Sequence, residues 1–265
     1  MKLISRYIYY ILIILFLSCE EDIIFNNPLD DDNNPDFIEP ETIIIEELDG
    51  TILSENAVTI TWEGNDLAVE YSYNFNNQGW GEWSDITSVT LSYLDEGFHN
   101  FNVKSRYVTG IEDVTPAQIT FEVDAVQGPG LRVFPLYKTI SSGTESVSLY
   151  LEEVNSVSFG NIIIDVISSN CNSINLTSID EGDLFSGTNV FIHEQNQNQH
   201  IINFGLTGGE GLSGTGEIAK IHFNNNGTGC SNQIQLIIDV DNSELRDYSN
   251  NEINILDSSN GVVSE

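Results

Sequence analysis

A chain of 265 residues with a formal net charge of −33 at pH 7 repels nucleic acid and anionic membrane surfaces. Its residues are 40% hydrophobic and 10% aromatic, enough for packed cores, which excludes a wholly disordered protein. The length suits about one to three domains, and basic proteins or divalent cations are the natural partners of such a charge.

The amino terminus reads as a targeting segment. Lys2 and Arg6 give a positive start, and Tyr7 to Ser18 is uncharged and mostly apolar. That run is about half the length a membrane helix needs. It closes on Leu15-Phe-Leu-Ser-Cys19. A small residue before a cysteine resembles the bacterial lipoprotein processing box, although Phe16 stands where that box usually has Leu. The resemblance implies a signal peptide over 1–18 and lipidation of Cys19. A signal peptide cleaved without lipidation, or an uncleaved anchor, is the alternative. Each acyl CH₂ buried in the bilayer contributes about 0.8 kcal/mol, so more than one chain on Cys19 makes the anchor stable.

Glu20-Glu21-Asp22 resembles the signal that sends some Gram-negative lipoproteins to the outer cell face; the plain alternative is a solvated charge run. The expected location is therefore the outer membrane, lipid-anchored and exposed at the cell surface. From Asp30 to Pro40 the chain reads DDDNNPDFIEP. Like charges repel and prolines block helix, so 19–40 is expected to be a lipidated, extended acidic tether.

Residues 41–125 carry short β runs at Ile43–Ile45, Ala57–Trp62, Val69–Tyr73, Val89–Tyr93, Phe98–Val103 and Ile119–Val123, separated by Gly, Asn and Asp. This spacing suits a β-sandwich. The pattern Tyr71-x-Tyr73, Trp80, Trp83, then Leu94-Asp-Glu-Gly97-Phe98 and Phe101-x-Val103-Lys104, resembles an immunoglobulin-like or fibronectin type III-like module. Its specific cousin is the Tyr-rich sandwich found beside bacterial sensor propellers, which implies a spacer. Trp62, Tyr71, Tyr73, Trp83 and Phe101 are expected to fill the core. Trp80 and Trp83 lie in the turn-rich NNQGWGEWSD, where an exposed indole can stack on a sugar ring. Both are kept as ligand-binding candidates, with Trp80 evenly placed between core and surface.

Val126-Gln-Gly-Pro-Gly130 reads as a short linker. Beyond it, 126–256 is organised around Ile201–Phe223, IINFGLTGGEGLSGTGEIAKIHF. Ile202, Phe204 and Leu206 alternate with Asn203 and Gly205, the period of a strand with one buried face. Ala219, Ile221 and Phe223 point one way in the second strand, and Ile218, Lys220 and His222 the other. The glycine run between them is read as a turn joining two strands. No helix follows it and no Lys-Ser/Thr pair closes it, so a phosphate loop is excluded by context.

The run SGTGEIAKIHF at 213–223 resembles the late strand of cohesin domains, receptors for dockerin-bearing enzymes in polysaccharide-degrading assemblies. Val147-Ser-Leu-Tyr-Leu151 resembles their early strand, and Phe159-Gly-Asn-Ile-Ile-Ile-Asp165 the following one. Leu184-Phe-Ser-Gly187 resembles a cohesin turn. Gln235–Val240, Leu245-Arg-Asp247 and Asn251-Glu-Ile253 resemble the closing strands. The match spans about Leu131 to Leu256, leaving 257–265 as a tail. Cohesins share their sandwich with carbohydrate-binding modules, so the resemblance implies a protein or a sugar ligand recognised on a sheet face.

Cys171 and Cys230 remain once Cys19 is lipidated, in a compartment that permits disulfides. A Cys171–Cys230 bond is expected; two free thiols are the alternative. The histidines show no metal-ligand spacing, and His193 and His200, around EQNQNQ, are expected to be solvated. There is no G-x-S-x-G elbow. Asp239, Asp241 and Asp247 in DVDNSELRD have oxygen ligands at loop-like spacing and are the one candidate for calcium. They lack the glycine of a helix-loop-helix site. No other cofactor and no catalytic residue is read from the sequence.

The reading is thus all-β, with two sandwiches in tandem after the signal peptide and tether. The function expected is non-catalytic: a surface lipoprotein binding a dockerin-like protein or a polysaccharide. A structural or adhesion component with no small ligand is the alternative.

Overall fold

The computed structural model describes Leu29 and residues 37–168, 173–184, 189–207, 211–227 and 233–265. Cys19, Cys171 and Cys230 lie outside the described residues, and with them the expected lipidation and disulfide. So do Glu20–Asp22 and Phe185–Gly187. The described chain is nearly all strand, with one short 3-10 turn at Val240–Asn242.

The first sandwich holds β1 (Thr42–Ile44), β2 (Ile52–Leu53), β3 (Ala57–Gly64), β4 (Glu70–Phe75), β5 (Ser88–Ser92), β6 (Gly97–Arg106) and β7 (Ala117–Val123). They form two sheets, ordered β1-β3-β5 and β2-β7-β6-β4. Each β run read from the sequence in this region overlaps a strand. Strand β2 is additional, a short parallel partner of β7.

Period-2 alternation builds the core. In β6, His99, Phe101, Val103 and Ser105 are buried while Asn100, Asn102, Lys104 and Arg106 face outward. Trp62 sits at the centre, its ring centroid 5.7 Å from Phe101, 5.9 Å from Tyr73 and 6.4 Å from Tyr71. Trp83 does not join this core. The segment before it folds back along the free edge of β4, where Ser72 Oγ donates to Gly81 O and the backbones of Tyr71 and Ser84 exchange hydrogen bonds. That places the Trp83 indole outside the sheet, half-buried against Arg106.

The second sandwich holds β8 (Gly130–Phe134), β9 (Tyr137–Thr139), β10 (Gly143–Ser168), β11 (Ile174–Glu181), β12 (Asn189–Asn196), β13 (Gln199–Leu206) and β14 (Leu212–Asn225). It is completed by β15 (Gln233–Ile238), β16 (Glu244–Asp247), β17 (Glu252–Ile253), β18 (Asp257–Ser259) and β19 (Gly261–Ser264). Strand β10 serves both layers. It bends where Glu153 and Ser156 take positive φ, 48° and 57°. Before the bend it pairs with β8 and β14, the latter continuing through the bend to Val157; after it, with β13, β15 and β16. The early and following strands read from the sequence are the two arms of this one bent strand.

One layer therefore runs β18-β8-β10-β14-β11. The other runs β9-β19-β15-β10-β13-β12, with β16 and β17 continuing the β15 edge. Val147, Leu149, Ile221 and Phe223 of the first layer pack against Ile162, Ile164, Ile202 and Leu236 of the second, all at most 1% exposed.

Two expectations change here. The glycine-rich run between β13 and β14 is not a hairpin turn. Strand β13 pairs with β10 and β12, and β14 with β10 and β11, so the chain crosses between layers. Alternation gives the inward residues correctly, but it does not encode the pairing partner. Ile218, expected outward, is buried as well, beside a register slip between Leu149 and Tyr150. Residues 257–265 are not a tail either. Strand β18 pairs with β8, β19 lies between β15 and β9, and Val263 is fully buried.

The two sandwiches meet at the β5–β6 turn. Glu96 Oε1 accepts from the backbone N–H of Ala125 and Val126, and Asp95 Oδ1 accepts from Leu136 N–H at 2.8 Å. The rings of Tyr93 and Tyr137 lie 5.4 Å apart. Burial raises both carboxyls above their ordinary range.

Candidate binding face

The outer face of β16, β10, β13 and β12 brings together exposed apolar side chains of the second sandwich. From Phe159 on, the odd residues of β10 point outward, because Gly160, Ile162 and Ile164 point in. Pairing then sets the rows. Arg246, Phe159, Gly205 and Val190 form one; Glu244, Asn161, Asn203 and Ile192 form the next. Ile163, Ile201 and Glu194 follow. Phe159, Val190 and Ile192 are 40%, 47% and 48% exposed, high for large apolar side chains sharing one flat surface.

Polar groups are few and placed. Asn161 Nδ2 donates to Asn203 Oδ1 at 2.6 Å in the middle of the face. At its edge Arg246 donates to Glu244 from both Nε and Nη2, and from Nη1 to Asn250 O. Between edge and centre lies a shallow recess of about 240 Å³ lined by Phe159, Asn161, Asn203, Glu244 and Arg246. Gly205 keeps the sheet low beside it: an added Cβ would come within 3.2 Å of Phe159 Cδ1. An apolar field with a central amide pair and a charged rim has the anatomy of a protein interface.

The first sandwich's contacts, through Asn56 and the β5–β6 turn, reach residues 125–137 and Ser259. Among the described residues none falls on this face.

The tryptophan candidates form a separate cluster. Lys104 Nζ lies 4.7 Å from the Trp80 ring centre and 5.2 Å from that of Trp83, and Arg106 lies 4.4 Å from Trp83. Trp80 is 43% exposed. Lys104 pairs with Glu112 and Arg106 with Glu70.

Two of the three aspartate candidates for calcium, Asp239 and Asp247, are closed locally. Asp239 accepts from the backbone and side chain of Asn242, and Asp247 from those of Asn251. The bonds from Asn251 hold the Asp247 carboxyl below its ordinary range. Asp241 is exposed.

His193 and His200 are not solvated loop residues. Their loop is a tight β12–β13 turn at Gln197 and Asn198, which brings the rings together. His193 Nε2 and His200 Nδ1 are 2.9 Å apart, with ring planes within 10° and centroids 5.2 Å apart. The rings thus meet edge to edge, joined by one ring-to-ring hydrogen bond. His200 is 2% exposed. Burial depresses both imidazoles, and the His193 charge depresses His200 further. The register sets His193 opposite Ile202 and His200 opposite Gln195, so the two histidines are diagonal neighbours across the hairpin, a relation that EQNQNQ does not announce in sequence.

No protein-family model matches the chain, and no curated protein matches it. The solved structures it is similar to include cohesins. A non-cellulosomal cohesin from the archaeon Archaeoglobus fulgidus matches at 17% identity and TM-score 0.40, over 51% of this chain and 88% of that one. The sixth cohesin of Acetivibrio cellulolyticus scaffoldin B, in complex with a Cel5 dockerin mutant, matches at 16% identity and TM-score 0.41. That match covers 52% of this chain and 98% of the cohesin. A type II cohesin dyad from the adaptor ScaA scaffoldin of the same organism matches at 8% identity and TM-score 0.38, over 84% and 98% of the two chains.

Proposed function

We propose that this chain is a non-catalytic surface lipoprotein whose second sandwich docks a protein partner of the dockerin class. The docking surface is the outer face of β16, β10, β13 and β12, and the setting is polysaccharide capture or breakdown. The observation that carries this is the face itself: Phe159, Val190 and Ile192 exposed side by side around the Asn161–Asn203 pair. Such a flat apolar field is too open to enclose a small molecule and suits a large, complementary surface. The class of partner rests on the resemblance of residues 131–256 to cohesins.

The remaining parts fit a display role. Lipidation at Cys19 would fix the chain to the outer membrane, and the acidic stretch after it would keep the chain extended. The strand order of the first sandwich, three strands facing four, supports an immunoglobulin-like or fibronectin-like spacer. Its contacts with the second sandwich leave the docking face open.

The test is direct binding of calcium-loaded dockerin modules to the immobilised full chain, with Phe159→Asp and Ile192→Asp as variants. Binding that both variants abolish supports the reading. Dockerin binding that both variants retain places the contact elsewhere, and no binding to any module of the panel leaves a structural or adhesion role.

A further inference from the structure

We propose that the first sandwich is itself a binding module, taking a neutral polysaccharide chain on the outer face of β4, β6 and β7. The proposal does not depend on the docking face of the second sandwich.

The face is set by register. Asn74, Asn102 and Gln118 lie directly opposite one another across the three strands. Asn100 and Thr120 form the next row, with Asn76 beyond β4 receiving the Asn100 N–H. Asn74, Asn100, Asn102, Gln118 and Thr120 point outward, because Phe101, Val103, Ile119 and Phe121 between them are buried. Two cross-strand rows of amides and one hydroxyl thus form an uncharged strip. In a chain with 41 acidic residues that is an unusual stretch of surface. Glu122 and Asp49 close one end, Asp49 accepting from Thr120 N–H. Lys104 and Trp80 stand at the other.

The strip has hydrogen-bonding capacity in hand. Asn102 donates to Asn100 Oδ1 at 3.3 Å, and Asn74 Oδ1 accepts from Gly79 N–H at 3.2 Å. That leaves Asn74 Nδ2, Asn100 Nδ2, Asn102 Oδ1 and both polar atoms of Gln118 without a partner among the described residues. A primary amide offers two donors and an acceptor in one plane, a match for the paired hydroxyls of a sugar. Trp80 adds the apolar platform. Lys104 covers one side of its ring, and 43% of the residue is still exposed. The apolar face of a pyranose can stack on such an indole while its hydroxyls reach the amides along β6.

Charge selects the polymer. The strip carries no cation to pair with a uronate, and Lys104 and Arg106 are already paired with Glu112 and Glu70. The net charge of −33 repels polyanions as a whole. The ligand class is therefore a neutral glycan.

The test is affinity electrophoresis of the full chain, in mild detergent, through native gels containing hydroxyethylcellulose, xylan, laminarin or starch. Polygalacturonate serves as the acidic comparison. The expected result is retardation in at least one neutral gel. Trp80→Ala and Asn102→Asp should each weaken it by about tenfold or more, with Phe159→Asp without effect. Asn102→Asp preserves shape, so it carries the test even where Trp80→Ala unsettles the fold. Retardation in no neutral gel, in polygalacturonate alone, or undiminished in both variants overturns the proposal.

Discussion

Phe159 lies across Gly205, the residue directly opposite it on the neighbouring strand. One step along, the relation is inverted: Phe204 lies across Gly160 on the inner side of the same two strands. Each glycine makes room for the ring that its partner's strand supplies. The outer ring is presented to solvent and the inner one is 4% exposed, so one local device serves both the exposed outer face and the core.

The inner relation should be the costlier to disturb. A Cβ at Gly160 would sit 2.2 Å from the Phe204 ring, which has no room to retreat. Gly160→Ala should therefore cost about 1–3 kcal/mol by overpacking, read as a lowered melting temperature. Gly205→Ala meets Phe159 at 3.2 Å, and that ring can tilt into solvent, so its melting temperature should fall less.

The histidine pair makes part of the stability pH-dependent. Both folded-state values are depressed, so the unfolded chain binds protons first as pH falls. Stability present above the ordinary histidine value, about 6.5, should be lost as pH drops below it toward the folded values. The raised Asp95 and Glu96 act in the opposite sense at lower pH, because there the folded state takes up protons first. The difference in melting temperature between the native chain and His193→Asn/His200→Asn isolates the histidines. That difference should shrink between pH 7 and pH 5.5.

How much of this was legible in the sequence depends on what kind of signal each feature leaves. Alternation at Ile202, Phe204, Ala219, Ile221 and Phe223 marks buried faces, and those residues are buried. Pairing leaves no such mark, so β13 and β14 read as a hairpin although they lie in different layers. Residues 257–264 are short, polar and broken by Gly261, which hides strands that form only because β8 and β15 await them. Trp83 has the composition of a core residue, and only the fold-back at Gly81 and Ser84 puts it outside. Recognition on a sheet face is expected from the sequence, which marks no residues of the face proposed above. Phe159 and Ile192 look like core positions until Ile162 and Ile202 claim the inside.

Arg132 and Glu152 form an ion pair in which both side chains are only 11% exposed, with Arg132 4.6 Å from the Tyr150 ring centre. Arg132→Ala strands the Glu152 carboxylate and should cost about 3–5 kcal/mol in denaturant unfolding. The double change Arg132→Met/Glu152→Leu removes both charges and should recover most of that loss.

At the junction, Asp95→Ala would leave the Leu136 N–H without its acceptor. A buried unmet donor costs about 1–3 kcal/mol. Combined with Glu96→Ala, which frees the N–H groups of Ala125 and Val126, it should uncouple the sandwiches. Scanning calorimetry should then show two separated transitions in place of one.

The most direct measurement of the central claim is titration calorimetry of the full chain with calcium-loaded dockerin modules, native against Phe159→Asp. The account predicts saturable binding by the native chain, weakened about a hundredfold or more when a charge is placed in the middle of the apolar field. Equal affinity in the two proteins would contradict it.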